Sequence, residues 1–574
     1  VIITSDMYLP KDVIEKILVN CGYEGYSAIY VSSEAKRTKA TGNLYEYITK
    51  AQKTSGKEIL HIGDTMESDV EMAKKKGWQS GYFPKAVDRF RNIVPNFYGG
   101  QSIQRIFEGP FAMRDAYQHL RYFGTRTLLA VAANKIFANP FVTFHPDTDF
   151  NADPNVVGYY ALGMHLFAIA QWLAKEMKQG RYTNLNFMAR DGKLPMKAFQ
   201  VLDKVYNCGV KTNYLYLTRA VMFPLQVEHT YDLFGIPKNA NVFSLTPKKI
   251  FDKLEAIFTD QMLAHQEEFC QKQGFLYEGK FTSVSEFYEF IVSLQQEKCV
   301  DPQKLREYVE KVGEYLADAF DGKSATFDIG YSCRVESILK STYGYDVTPY
   351  YIHINNDTPN YRAQKNDITV HTFYDYSPGV TGAVRELFIS AMEPSCKALE
   401  INNGKVVPVF KTFSMNYMER YVISHIQESA LQYVNDVVKL FGEDVKYLYY
   451  QREDVSLPLE YFLEAAKKTD RQLMACSGFE DELTLGSHVR VADYWNGLIE
   501  NVAAGLGGGV NDNDNDMSLY RVSKKWQRAI CLYFINRDYL KYKVKIRLAS
   551  HPVLLSAIKS GYKGVRSVYR FIHR

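Results

Sequence analysis

Apolar and polar positions along the first part of the chain fall into two alternating periods. Short apolar runs at 1–5, 28–32, 59–63 and 78–83 have the character of strands. Between them apolar residues recur three and four apart, with Val13, Ile14, Ile17 and Leu18 on one stripe and Leu44, Tyr45 and Ile48 on another. Strands alternating with amphipathic helices predict a parallel sheet with helical crossovers. The same alternation returns later, with strands expected at 185–189, 214–217, 324–327 and 347–354 and helices over 194–202 and 335–340. The expected fold class is therefore α/β, a parallel sheet domain followed by a second α/β domain and a helical C-terminal region.

The run 156–174 is uncharged and long enough to tempt a transmembrane assignment. His165, Gln171 and two glycines interrupt it, and Lys175-Glu176-Met177-Lys178 leads from it towards a strand, as a buried crossover helix would. From about 412 the pattern is helical, with helix spacing over 421–441 and 459–466. The domain organisation that follows is a sheet domain at 1–95, a helical connector at 96–155 with a helix over 125–137, and a second Rossmann-like domain at 156–400. A helical region at 401–504, a flexible linker at 505–517 and a basic helical tail at 518–574 complete it.

With 574 residues, of which 46% are hydrophobic, the chain can bury several cores. A formal charge of +4 gives it no general affinity for polyanions, so nucleic acid is not an expected partner. Eight scattered cysteines without a Cys-x2-Cys pair argue against a structural zinc site or a disulfide framework, and fit a reducing cytoplasm. Charge is unevenly placed. Residues 520–574 hold fourteen Lys and Arg against one acid, Asp538, interleaved with Trp526, Phe534, Leu540 and Phe571. That tail is expected to touch an anionic membrane surface peripherally; packing back onto the acidic remainder is the alternative.

The chemistry concentrates where strands end. The run ending Gly63-Asp64 is followed by Asp69 at the start of a helical pattern, which places two carboxylates on one turn at a strand's carboxyl end. Paired carboxylates there suit a hard cation such as Mg2+; the plainer alternative is a solvated turn with Asp69 capping a helix. Two further strands end in Ser5 and, before Lys39, in Ser32. The order Ser5, Lys39, Gly-Asp-x4-Asp resembles the last three motifs of the haloacid dehalogenase superfamily, mostly phosphatases that form an aspartyl-phosphate. The resemblance implies that Ser5, or Thr4 one position earlier, holds the transferring phosphoryl group. It implies that Lys39 neutralises nucleophile and phosphate, and that Asp64 and Asp69 hold and orient Mg2+. The family's nucleophile and general acid sit in an Asp-x-Asp on a preceding strand. Because Val1 already lies in the Ser-motif strand, the chain is read as lacking that start, and turnover is not expected of it as written.

In the second domain Ala189-Arg190-Asp191-Gly192, Thr218-Arg219 and Asp328-Ile329-Gly330 each follow an apolar run. Gathered at one sheet edge, Arg190, Asp191, Arg219 and Asp328 would form an anion pocket, with the segment 382–388 closing it. Ordinary turns and caps are the alternative. The layout over about 1–400 looks like a two-part bacterial hydrolase family of cell-surface polysaccharide systems. That implies a phosphorylated small molecule or a nucleotide-sugar as partner. A phosphoribosyltransferase-like or glycosyl-transfer site in the second domain, and a non-catalytic scaffold of a polysaccharide assembly, are the competing readings.

Overall fold

Two units divide the chain, 1–95 with 130–143 and 96–129 with 144–574, and each is described by itself. The structure is a computed structural model and describes residues 1–93, 122–225, 245–331, 333–354, 363–364, 366–374, 381–412, 417–474, 477–481 and 486–490. The expected linker at 505–517 and basic tail at 518–574, with its membrane contact, lie outside the described residues, as does part of the 96–155 connector.

The first unit contains strands β1 (Ile2–Ser5), β2 (Ala28–Val31), β3 (Leu60–Gly63) and β4 (Gln79–Tyr82), and helices α1 (Lys11–Asn20), α2 (Asn43–Gln52) and α3 (Met72–Lys75). A π-helical turn, Met66–Glu71, leads into α3. Side chains sort by strand parity. Ile3, Ile29 and Val31 pack with Ile14 of α1, whereas Ile2, Tyr30 and Ile59 pack with Leu44, Tyr45 and Ile48 of α2. The alternation predicted one sheet, and here the structure differs. β1 pairs with β2 and β3 with β4, each in parallel, as two separate ribbons over a shared core. Nothing in the sequence pattern distinguishes these cases, because periodicity reports which face of a strand is buried and not which edge is paired. Residues 130–143 join this unit through Arg89, whose guanidinium donates to the carbonyls of Phe137, Asn139 and Val142.

The second unit is built on five parallel strands: β5 (Asn184–Met188), β6 (Lys211–Leu215), β7 (Ser324–Tyr331), β8 (Val347–Ile354) and β9 (His371–Thr372), in the spatial order β6-β5-β7-β8-β9. Helix α4 (Gly163–Gly180) precedes β5, and α5 (Lys193–Tyr206) connects β5 to β6. The helix Pro154–Gly180 is long and apolar enough to cross a membrane, yet 94% of its apolar window is buried within the protein. Its burial has named partners, since Trp172 packs on Tyr350 and Phe373 and Phe167 on Tyr450.

The sheet's faces alternate as its strands do. Phe187 meets Phe199 of α5 and Phe327 of β7 on one face. On the other, buried Asn186 donates to the carbonyl of Ala319, so its amide is satisfied at no loss of burial. That second face is covered by the core around Phe251, Phe287, Phe290 and Leu316. Helices α6 (Arg219–Met222), α7 (Pro247–Leu254) and α8 (Arg334–Tyr343) follow, then α9 (Thr381–Ile389).

The region expected to be helical from 401 opens instead on a hairpin, β10 (Cys396–Asn402) with β11 (Lys405–Phe410), paired antiparallel. Its turn is Asn403-Gly404, both with positive φ (50° and 71°), which matches the twist of the flanking strands. An Asn-Gly between apolar runs is a strong hairpin signal, and it outranks the helical pattern that begins later with α10 (Tyr417–Phe441) and α11 (Arg452–Ala465).

Candidate functional site

In the first unit the carboxyl ends of β1 and β3 bring four of the expected residues together. The Lys39 ammonium lies 2.5 Å from Asp69 Oδ1, with side-chain exposures of 13% and 1%. The same oxygen is 3.2 Å from His61 Nε2, and the Thr65 N–H donates to Oδ2 at 3.0 Å. Burial alone would raise the pKa of Asp69; the bonds from Lys39, Thr65 and His61 outweigh it and hold the carboxyl below its ordinary value. Burial holds the His61 imidazole below its ordinary value too, despite the bond to Asp69. Ser5 ends β1, half-buried. Beside it the Thr4 hydroxyl oxygen is buried with no hydrogen-bond partner.

Asp64 and Asp69 do not share one environment. Asp69 is enclosed and its oxygens engaged, inside the π-helical turn and not at a helix cap. Asp64 is half-buried and pairs with the Lys85 ammonium at 2.7 Å. The sequence treated the two as equivalent. The structure makes Asp69 the group that orients Lys39 and leaves Asp64 as the accessible carboxylate. An all-oxygen donor set fits Mg2+, which is commonly held by one or two carboxylates with phosphate and water completing the shell. Among the described residues no group of three or more His, Cys, Asp or Glu side chains is arranged to hold a metal.

Two contributors were not singled out from sequence. Asp6, directly after Ser5, accepts from the Lys39 N–H at 2.8 Å and from the Ala40 N–H at 3.3 Å, so it anchors the loop that presents Lys39. His61 sits on the inward parity of an apolar run, a position where a lone histidine is easily taken for core. Gly63 explains itself by contact: a β-carbon there would stand 2.4 Å from Asp69 Cγ. Gly63→Ala is therefore expected to displace Asp69 and to lower the unit's unfolding free energy by about 2 kcal/mol, read from urea titration; an unchanged midpoint would count against this packing.

In the second unit β5 is flanked by β6 on one side and β7 on the other, so the chain reverses direction of travel between β5 and β7. Open parallel sheets bind ligands outside the carboxyl ends at such a switch point. Phe187 is in register with Phe327, which puts Asp328 beside Met188 at this point, with Arg190 and Asp191 just beyond β5. The four expected residues interact. Arg190 and Arg219 both act on Asp191, and Asp191 acts on Asp328. Burial pushes Asp191 upward against Ser390 and the two arginines. Burial, followed by Asp191, Glu336 and Glu386, pushes Asp328 well above the carboxylate range.

The segment 382–388, expected to close the site, lies within α9 and contributes Glu386, whose charge acts on Asp328; the hydrogen bonds to the site come from the residues just after it. The Ser390 hydroxyl donates to Asp191, and the Ala391 N–H donates to the Arg190 carbonyl at 3.1 Å. Glu393 takes the Lys193 ammonium and the Tyr214 hydroxyl. Ser390 and Glu393 carry no sequence signal of their own, since their partners are distant in the chain. Compared with known proteins, the chain matches no family model and no curated protein.

Proposed function

We propose that the first unit is a Mg2+-dependent phosphatase-type centre of the haloacid dehalogenase kind, and that the second unit holds a phosphorylated or nucleotide-linked sugar used in surface polysaccharide synthesis. The observation that carries this reading is the Lys39–Asp69 pair, an ammonium fixed by a buried carboxylate at strand ends beside Ser5 and Asp64. Phosphoryl transfer depends on positioning and on neutralising spread negative charge, which is what such an ammonium supplies. In this reading Lys39 meets the phosphoryl oxygens, the Ser5 hydroxyl donates to one of them, and Asp69 keeps Lys39 in place. Asp64 would hold Mg2+, which when bound neutralises and orients the phosphate.

A second reading for the second unit is group transfer to or from a sugar hydroxyl. It is favoured by Asp191 and Asp328, two carboxyls pushed towards their protonated forms at one switch point, as acid–base work requires.

The first reading is tested by titrating Mg2+ into the protein in the presence of inorganic phosphate. Asp64→Asn is expected to weaken binding at least tenfold, while Lys16→Gln, at an exposed position of α1, leaves it within twofold. Equal affinity in wild type and Asp64→Asn would overturn the assignment. A binding screen of sugar phosphates against the protein then names the substrate class.

A further inference from the structure

The two carboxylates of the Gly-Asp-x4-Asp turn each hold one ammonium, and the two pairs differ in how firmly they are closed. Lys39 and Asp69 are enclosed, with exposures of 13% and 1%. Lys85 and Asp64 meet at 2.7 Å but are 65% and 36% exposed. Breaking the first pair would strand a buried charge, whereas an exposed pair contributes little and opens readily. Neither the motif spacing nor the strand pattern singled out Lys85.

The fold brings Lys85 to this turn through the β3–β4 ribbon. Lys85 stands between β4 and the helix Ala86–Ile93. Gly63 is in register with Tyr82, and the Phe83 N–H donates to the Gly63 carbonyl at 2.8 Å, so the chain leaving β4 is held beside the residue that precedes Asp64. The bond to Asp64 holds the Lys85 ammonium above its ordinary value, against slight burial and with smaller contributions from Asp88 and Asp69. A metal ion that takes Asp64 must therefore exchange with an ammonium already there. At equal distance a divalent ion attracts a carboxylate about twice as strongly as an ammonium does.

We infer that Lys85 is the resident counter-ion of Asp64, displaced when Mg2+ binds and then able to meet a phosphoryl oxygen. This rests on the reading of Asp64 as the Mg2+ ligand and adds how that carboxylate is held before the metal arrives. With Lys39 and Lys85 in place, two carboxylates are balanced by two ammoniums. Mg2+ at Asp64 brings the excess of positive charge that a phosphate needs, and the released ammonium, on its flexible stem, adds to it. Metal loading and phosphate binding are thereby coupled through one side chain.

The test is calorimetric titration of Mg2+ into the full chain at low ionic strength without phosphate, and then of inorganic phosphate at saturating Mg2+. Lys85→Gln is expected to tighten Mg2+ at least threefold, because it removes the competing ammonium. Lys85→Arg, which keeps the charge, and Lys16→Gln, which removes one from an exposed position of α1, are expected to stay within twofold of wild type. At saturating Mg2+ the same Lys85→Gln is expected to weaken phosphate at least threefold. Because Lys85 is largely exposed, circular dichroism of its variants is expected to match wild type. Equal or weaker Mg2+ affinity in Lys85→Gln, or phosphate affinity indifferent to Lys85 at saturating Mg2+, overturns the exchange and leaves Asp64 as the metal ligand. No Mg2+ binding by either protein retires the metal reading itself, and the exchange with it.

Discussion

Asp69→Asn is expected to cost the first unit about 3 kcal/mol of stability and to abolish whatever phosphate affinity Lys39 provides. The carboxylate is 1% exposed and answers Lys39, His61 and the Thr65 N–H at once. Removing one charge of such a pair strands the other, a loss of about 3–5 kcal/mol for a fully buried pair; the 13% exposure of Lys39 sets the lower end. The pH dependence has a definite sign. The folded carboxyl lies below its ordinary value, so its contribution is present above the unfolded value of about 4 and is lost as pH falls through the folded one. Urea titrations at pH 7 and pH 3 should find wild type losing stability on acidification more steeply than Asp69→Asn. Adding Lys39→Met to Asp69→Asn should recover part of the loss at pH 7. Parallel pH profiles for the two proteins would show that Asp69 is not the charged partner of Lys39.

A larger effect is expected at Glu460 in the second unit. Its Oε1 lies 2.6 Å from the Arg385 guanidinium, with exposures of 2% and 0%. Tyr374 binds both, its hydroxyl donating to Glu460 at 3.1 Å and accepting from Arg385 at 3.4 Å, with the guanidinium 5.4 Å from its ring centre. His165 stacks on Tyr374, and its Nδ1 is 2.8 Å from the Ser456 hydroxyl oxygen. Burial, then the charge of Arg385, holds His353 down at about 3, and the same causes hold His165 well below its ordinary value, so neither offsets the loss of Glu460 by shedding charge. Glu460→Leu is expected to cost about 4–5 kcal/mol by leaving the guanidinium buried without its carboxylate. Arg385→Met with Glu460→Leu should cost less than Glu460→Leu alone, because an apolar pair of similar volume carries no desolvation penalty. A thermal-melt double-mutant cycle measures this, and additive losses would mean that the two residues do not act as a pair.

What the sequence reached, it reached through local pattern. Strand β8 and the start of β7 fall where the apolar runs put them, and the uncharged run at 156–174 is a buried helix because its interruptions were polar. Asp191 and Asp328 were legible for the same reason: a charged residue ending an apolar strand has few places to go except the sheet's carboxyl edge. The hairpin at β10–β11 was legible as well, in Asn403-Gly404, although the helical period from about 412 was extended back over it.

Other features lay outside any window along the chain. Ser390 reaches Asp191 across 199 positions, and Tyr159 reaches Asp436 across 277. Asp470 accepts from the N–H groups of Asp149, Phe150 and Ala152 across more than three hundred. The spacing Gly-Asp-x4-Asp placed two carboxylates on one turn. Burial then made them different, enclosing Asp69 with Lys39 and His61 while Asp64 stayed within reach of solvent and Lys85. By itself the sequence determined the α/β class, most strands of the parallel sheets and the residues standing at their carboxyl ends, because the two-residue and 3.6-residue periods are local consequences of backbone geometry. Only the tertiary structure decided which strand edges pair, which of two similar carboxylates is desolvated, and that Ser390 reaches Asp191. Those outcomes depend on distances between elements that no local period encodes.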